Sequence, residues 1–372
     1  MRPLARFAAF VAATTLGLLG QAGPASAAPA PDMRRVHLEG GQASAPLPGG
    51  KGPVRLVLDA RLQREAEKLL AGSRAHEGAI VMADVRSGRI LAWASLGGRD
   101  MVSSAIAPSA SLFKTVTAAA LLESGRVRPA TRQCFHGGER AITEDDLDDD
   151  RSRDDRCTTF GEALGHSYNL VFARLALKHL RPEALHSMAN ELGIGSEVPT
   201  DVDVPAGEVS VPDDRLGLAR AAAGFWNARL SPLGALYMML TVANHGERIR
   251  LTLLDEGAAP ERHSRGRAMR PSNADALARM LAVTVRRGTS ARAFRGNDDE
   301  LAPDDGLWRR VAGKTGTLIG GRPRRMYSWF AGFAPTGRPE VAIAVLLAND
   351  EHWWKKANVV ARDALRVYFR EP

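Results

Sequence analysis

Hydrophobic and polar positions change period several times along the chain. In RLVLDARLQREAEKLL (55–70) a short apolar run precedes Asp59, a residue that can cap free N–H groups, and apolar positions then recur at helical spacing. This predicts an amphipathic helix. GAIVMADVRSGRILAWAS (78–95) instead sets two dense apolar runs around Arg86-Ser87-Gly88, the signature of a hairpin. The middle of the chain turns helical, as in GEALGHSYNLVFARLALKHL (161–180) and SPLGALYMMLTVANHG (231–246). Strand-like runs return at RRVAGKTGTL (309–318), MYSWFAGFAPTG (326–337) and PEVAIAVLLAND (339–350), before a closing helix, KKANVVARDALRVYF (355–369). Strands therefore lie at both chain ends, and the tight turns between the late ones imply antiparallel pairing. The expected fold is α/β of the α+β kind: an antiparallel sheet built from both chain ends and flanked by helices, with an all-helical lobe inserted over about residues 115–300. There is no internal repeat.

Ahead of this pattern, Arg2 and Arg6 precede an apolar run from about Phe7 to Gly20, and Ala25-Ser26-Ala27 follows in the small-residue form of a cleavage site. Residues 1–27 are thus expected to be a secretory signal peptide, with an uncleaved anchor as the alternative. The run is short for a bilayer span, and no other segment approaches the roughly 18 apolar residues that one requires. Residues 28–52 are rich in Ala, Pro and Gly without helical or strand period and are expected to be a flexible linker, leaving 53–372 as the folded domain.

Composition changes this picture little. With 45% hydrophobic and 25% charged residues, the 372-residue chain can bury a sizeable core. The formal charge of +8, or +6 without Arg2 and Arg6, is spread among acidic residues, and no nucleic-acid motif accompanies it. The two cysteines, Cys134 and Cys157, are expected to be joined in an oxidising compartment. They bracket EDDLDDDRSRDD (144–155), expected to be a solvated loop that the bridge would pin.

Candidate chemistry sits in three short motifs. Ser111 and Lys114 lie three places apart at the start of an apolar helix, close enough for a lysine to take a serine proton, although the pair taken alone also fits an ordinary helix beginning. Such a lysine needs a lowered pKa, from burial or from a neighbouring cation such as Lys314. Ser167-Tyr168-Asn169 serves one site only if a turn separates two helices after Gly165; on these residues alone, Asn169 reads rather as a cap of the helix that follows. Lys314-Thr315-Gly316-Thr317 lies within an apolar strand. Alternation puts Lys314 and Thr315 on opposite faces, so both reach one site only along the strand's edge, where Gly316 would let a substrate backbone approach.

In order and setting, the three motifs resemble those of the penicillin-binding protein transpeptidase and serine β-lactamase superfamily. LVLDARLQREAE, GAIVMADVRSGRILAWAS, SPLGALYMMLTVANHGE, VRRGTSARAF, AGKTGT and SWFAGFAP are also similar to family segments, so the likeness runs over about residues 54–369. It departs at two places: Pro108-Ser109-Ala110 stands where Pro-Gly usually precedes the serine, and His245-Gly246 where Gly-Gly usually follows Ala-Asn. The resemblance implies a five-stranded sheet with Ser111 as nucleophile, Lys114 as its base, Ser167 as proton relay and Lys314 tuning it. Asn169 would hold the substrate amide, and Thr315, Gly316 and Thr317 would bind the substrate's carboxylate end. The N–H groups of Ser111 and Thr317 would form the oxyanion hole.

The same resemblance implies peptidoglycan stem peptides and β-lactam antibiotics as ligands, and no cofactor. No metal site is expected, because the histidines lack ligand spacing; His166 is read as a packing residue beside Ser167. Asn169 in place of a valine, and the lack of a family-like glutamate loop, imply slow release of an acyl group. An exported D,D-transpeptidase or carboxypeptidase is therefore expected ahead of a β-lactamase. A penicillin sensor would need a membrane relay that the sequence does not display, and a catalytically silent wall-binding scaffold is the remaining alternative.

Overall fold

A computed structural model describes residues 29–50, 52–138, 141–225, 227–259, 261–295, 306–320, 324–350 and 352–370; the expected signal segment lies outside them. The described residues of the stretch expected to be a linker form secondary structure. After one 3-10 turn, strands β1 (His37–Glu39), β2 (Gln42–Pro46) and β3 (Pro53–Leu56) form a small antiparallel sheet, with Gly40 and Gly41 turning between the first two at φ 56° and 84°. The strand period is present in β2 but is carried by Ala43 and Ala45, both buried, between the more accessible Gln42 and Ser44. Alanine is too small to register as a hydrophobic beat, which is why the sequence hides this sheet.

Helix α1 (Ala60–Ala71) starts as expected, with Asp59 Oδ1 accepting from the N–H groups of Arg61 and Leu62 at 2.9 Å each. The hairpin follows as β4 (Glu77–Asp84) and β5 (Ile90–Leu96). The chain then leaves the sheet through α2 (Phe113–Glu123), a ribbon of β6 (Arg132–Phe135) and β7 (Arg156–Thr159), α3 (Phe160–His166) and α4 (Asn169–His179). The lobe continues with a helix over Pro182–Glu191 and with α5 (Arg215–Ala223), α6 (Pro232–Ala243) and α7 (Pro271–Arg286). The inserted lobe thus carries short ribbons as well as helices. No helix of the described residues is long and apolar enough to cross a membrane.

The chain returns as β8 (Ala312–Gly320), β9 (Arg325–Ala334), β10 (Val341–Asn349) and α8 (Ala357–Phe369). The main sheet has the order β8-β9-β10-β4-β5 with every neighbour antiparallel, so β8 is an edge strand. Both faces of the sheet are covered. Ile80 and Met82 pack with Leu62, Leu70, Val360 and Leu365 of α1 and α8, while the alternate Val81 and Ala83 join Phe113, Val116 and Leu236 on the lobe side. All nine residues of β10 are buried, which accounts for its unbroken apolar run.

Cys134 and Cys157 are opposite each other on β6 and β7 and are joined. The acidic loop they bracket is only partly solvated. Arg174 on α4 is fully buried and donates to Asp154 Oδ2 at 2.7 Å, Asp146 O at 2.8 Å and Cys134 O at 3.0 Å. Asp154 also meets His136 at 2.6 Å, and Lys178 reaches Asp149 at 2.7 Å. Within the charge run, Asp154, with Asp149 at 3.6 Å, supplies the counter-ions of a buried guanidinium, a role that requires tertiary contacts to see.

Candidate active site

The three motifs converge. Ser111 sits on a single 3-10 turn, Ala110–Leu112, that runs directly into α2 and brings Lys114 one turn further along. Ala110 adopts φ 48°, and His245 adopts φ 55°. Both positions where the chain lacks the family's glycine therefore sit in the left-handed region, which glycine adopts at least cost. The turn is packed from outside by Gly224 at the end of α5, where a Cβ would come within 2.2 Å of Ala110 O.

Ser167 is the left-handed residue (φ 62°) between α3 and α4, and Asn169 is the first residue of α4. The inter-helix turn that joint work by these residues demands is present. Lys314 to Thr317 lie on the sheet's edge strand β8, as a site shared by both of its faces requires. Trp329, opposite Gly316, donates from Nε1 to Pro108 O at 2.9 Å and so ties the sheet to the turn that carries Ser111. A Cβ on Gly316 would meet Trp329 Cβ at 3.2 Å and Ala110 Cβ at 3.3 Å, so close packing of strand against turn already calls for glycine there.

Lys114 Nζ is 2.9 Å from Ser111 Oγ, 2.7 Å from Asn169 Oδ1 and 2.7 Å from Ala223 O. Lys314 Nζ is 3.0 Å from both Ser167 Oγ and Thr315 O. Both lysines are fully buried, and the acceptors named around each are uncharged. Burial, and then the positive charge of Lys314, hold the Lys114 amine well below the ordinary lysine range; burial alone brings Lys314 to about 7. A neutral Lys114 matches its surroundings. Its two N–H bonds have Asn169 Oδ1 and Ala223 O to receive them, which leaves the nitrogen lone pair facing the Ser111 hydroxyl.

A cleft of about 260 Å³ opens onto Ser111, Ser167, Thr315 and Thr317 and continues around the edge of β8 to Thr289, Ser328 and Lys356. Thr289 and Thr315 share a hydrogen bond of 2.6 Å. His166 stands aside, its ring stacked on Tyr168 and its Nε2 3.6 Å from Glu162.

Sequence reasoning missed several contributors. Thr289 lay inside a segment already similar to the family, and that was its available signal. Gly138 O, which accepts from Asn169 Nδ2 at 2.9 Å, and Ala223 O act through backbone carbonyls and leave no mark in the sequence.

The family model of the penicillin binding protein transpeptidase domain matches residues 78–366. Peptidoglycan D,D-transpeptidase PbpA of Mycobacterium tuberculosis is 27% identical over 260 residues, covering 65% of this chain and 50% of the relative. The chain thus spans about half the length of this curated relative. Among solved structures, the transpeptidase domain of Burkholderia pseudomallei penicillin-binding protein 3 is similar with a TM-score of 0.70 at 22% identity, over 85% of this chain and 95% of that one. Penicillin-binding protein A from M. tuberculosis, solved as an imipenem acyl-enzyme complex, gives 0.65 at 20% identity, over 85% and 80% of the two chains. The match in sequence over most of the chain, on a fold that assembles the three motifs, has one reading: the chain belongs to the penicillin-binding protein transpeptidase domain family.

Proposed function

We propose that this protein is an exported serine D,D-transpeptidase or D,D-carboxypeptidase that works on peptidoglycan stem peptides through an acyl-enzyme on Ser111. The observation that carries this reading is the buried, uncharged-lined Lys114 amine 2.9 Å from the Ser111 hydroxyl. Ser111 Oγ attacks the carbonyl carbon of a D-Ala-D-Ala bond while its proton passes to Lys114 Nζ. The N–H groups of Ser111 and Thr317 receive the oxyanion, an interaction typically worth roughly 3 to 4 kcal/mol per donor. As the C–N bond breaks, the leaving amine takes a proton through Ser167, whose hydroxyl the Lys314 ammonium polarises. Asn169 holds the substrate amide, and the open edge of β8, with Gly316, leaves room for the donor to lie alongside as an added strand. Thr315 and Thr317 take its terminal carboxylate. An amine of a second stem peptide, or water, then releases the acyl group.

The described residues that line the cleft include no carboxylate, which supports slow hydrolysis of the acyl-enzyme and hence acylation by β-lactams as a lasting modification. Intact protein incubated with labelled penicillin should carry one label, mapped to Ser111, and Ser111→Ala should carry none. Absence of label on the parent would overturn the proposal. Label that is hydrolysed many times per second would transfer the assignment to a β-lactamase. Product analysis with a pentapeptide donor, with and without an amine acceptor, separates transpeptidase from carboxypeptidase.

A further inference from the structure

The ribbon of β6 and β7 feeds both sides of the turn that carries Ser167 and Asn169. β6 runs on through His136 to Gly138, whose carbonyl accepts from Asn169 Nδ2 at 2.9 Å, while β7 passes straight into α3, which ends at Ser167. Phe135, the last residue of β6, is buried and packs on Tyr168 with ring centroids 4.8 Å apart, so one strand end touches two consecutive residues of the turn. The Gly138 contact decides which end of the Asn169 amide faces the base. A carbonyl oxygen only accepts, so it takes the NH2 end and turns Oδ1 toward Lys114 Nζ, 2.7 Å away. The reverse orientation would set Oδ1 against the Gly138 oxygen and aim an N–H at the Lys114 nitrogen, where it would compete with the Ser111 hydroxyl for the lone pair. A backbone oxygen thus keeps that lone pair for Ser111. Its own place is tightly set: Gly138 has φ 74°, and a Cβ there would come within 2.9 Å of Leu170 Cβ on α4.

What leads up to Gly138 is a short ribbon. β6 and β7 share four residue pairs, from Arg132 opposite Thr159 to Phe135 opposite Arg156, and a ribbon of two strands is marginally stable by itself. Cys134 and Cys157 form the third pair, next to the end at which β6 departs for Gly138. The bridge therefore fastens the strands where the contacts with the turn begin. It is also within reach of a reagent, since Cys157 is exposed and Cys134 half-buried. The chain has two cysteines, so a thiol reductant has one target. Arg174 binds Cys134 O and Asp154 whether or not the sulfurs are joined, which leaves the lobe a support of its own when the bridge opens.

We infer that the bridged ribbon is a positioning element for the base, in which Gly138 O orients Asn169 and the Cys134–Cys157 bridge fixes Gly138, so that reduction of the bridge slows acylation of Ser111. The inference rests on the function proposed above. Reduction by a dithiol delivers two electrons and two protons to the sulfurs, breaks the S–S bond, leaves two thiols and converts the reagent into its own disulfide. The ends of β6 and β7 then part. Gly138 O withdraws from Asn169, and Lys114 loses a fixed acceptor.

The test treats the full chain with dithiothreitol, counts the thiols released, checks the fold by circular dichroism and follows the rate of acylation by labelled penicillin across pH. The rate should fall by about tenfold or more, as a small misplacement of a reacting group does, and should return on reoxidation. A merely structural loss would lower the rate equally at every pH. Here the ascending limb, set by Lys114, should also move to lower pH, because an ammonium deprived of the Asn169 oxygen holds its proton less firmly. Lys314 is the charged group that faces Lys114, and it bonds Ser167 and Thr315 rather than the ribbon, so the descending limb near pH 7 should stay. The double variant Cys134→Ser, Cys157→Ser should match the reduced protein and ignore dithiothreitol. Gly138→Ala, with the bridge intact, should reproduce the slower rate and the moved limb. Parent-like acylation by the reduced protein, or a uniform loss with the limb unmoved, would overturn the inference and leave the reading of Ser111 standing. If reduction unfolds the chain, Gly138→Ala decides alone, and a parent rate there overturns the inference. Failure of the oxidised parent to take label removes the reading of Ser111 and this inference together.

Discussion

Two buried cations of the lobe, Arg174 and Lys114, have opposite fates because of what surrounds them. Arg174 is enclosed by the carboxylate of Asp154 and the carbonyls of Asp146 and Cys134, so its charge is matched where it lies. Lys114 has an amide oxygen, a carbonyl and a hydroxyl, none of them charged, and a second cation nearby in Lys314. Burial is complete in both cases. With a counter-ion, a buried cation is a rivet; without one it gives up its proton readily, as the base proposed above must. The two sites are physically linked, since Asn169 and Arg174 stand on the same helix and Phe135, next to the bridged Cys134, packs on Tyr168 with ring centroids 4.8 Å apart.

The largest effect should come from removing the rivet. Arg174→Met strands the Asp154 carboxylate and should cost about 3 to 5 kcal/mol in denaturant unfolding. Burial works against the Asp154 carboxylate, but hydrogen bonds from Arg174, His136 and Asp150 N–H outweigh it and hold the group below the usual carboxylate range. The unfolded chain therefore takes up that proton first: the stability Asp154 contributes is complete above about pH 4 and is lost as pH falls through the lower native value. In Arg174→Met the deficit should shrink in acid, where the stranded carboxylate is neutralised. An unchanged unfolding midpoint would end the contrast with Lys114.

Next in size is the conversion of the base into a rivet. Asn169→Asp places a carboxylate where Oδ1 now lies, 2.7 Å from Lys114 Nζ, and should raise the lysine's pKa by about 1 to 3 units. Acylation by penicillin at neutral pH should fall by at least about tenfold, with recovery toward alkaline pH. A uniform loss at every pH would mean that Asn169 acts on the substrate alone.

The smallest effect is a change of pH profile. The rate constant for acylation of the free enzyme should rise as Lys114 loses its proton and fall as Lys314 does so near pH 7. Lys314→Arg keeps its charge throughout, so the descending limb should disappear and the ascending one remain. A descending limb that persists in this variant would assign it to another group.

Much of this arrangement was readable beforehand, and the exceptions share a cause. Asp59 at the start of α1, the β4–β5 hairpin and the late strands announce themselves because local chemistry and burial agree on one period. The requirement that Lys314 and Thr315 serve one site pointed to the strand's edge, and β8 lies at the edge of the sheet. What stayed hidden was decided by tertiary contact. Ala43 and Ala45 are core residues only through their packing in the large core cluster, and Asp154 turns inward to meet Arg174 while Asp145, Asp148 and Asp155 stay exposed. Ala223 contributes an oxygen that every residue possesses, so its position alone distinguishes it.

The sheet's assembly from both chain ends has a consequence in time. Trp329 and the Pro108 carbonyl it holds are 221 positions apart. While the chain leaves the ribosome, the segment bearing Ser111 emerges long before β8, β9 and β10, so the five-stranded sheet is incomplete until they follow. On the function proposed above, Ser111 then lacks Lys314 and Thr317, which β8 brings. On that proposal, reactivity would arrive only with the last strands, when nearly the whole chain has been made.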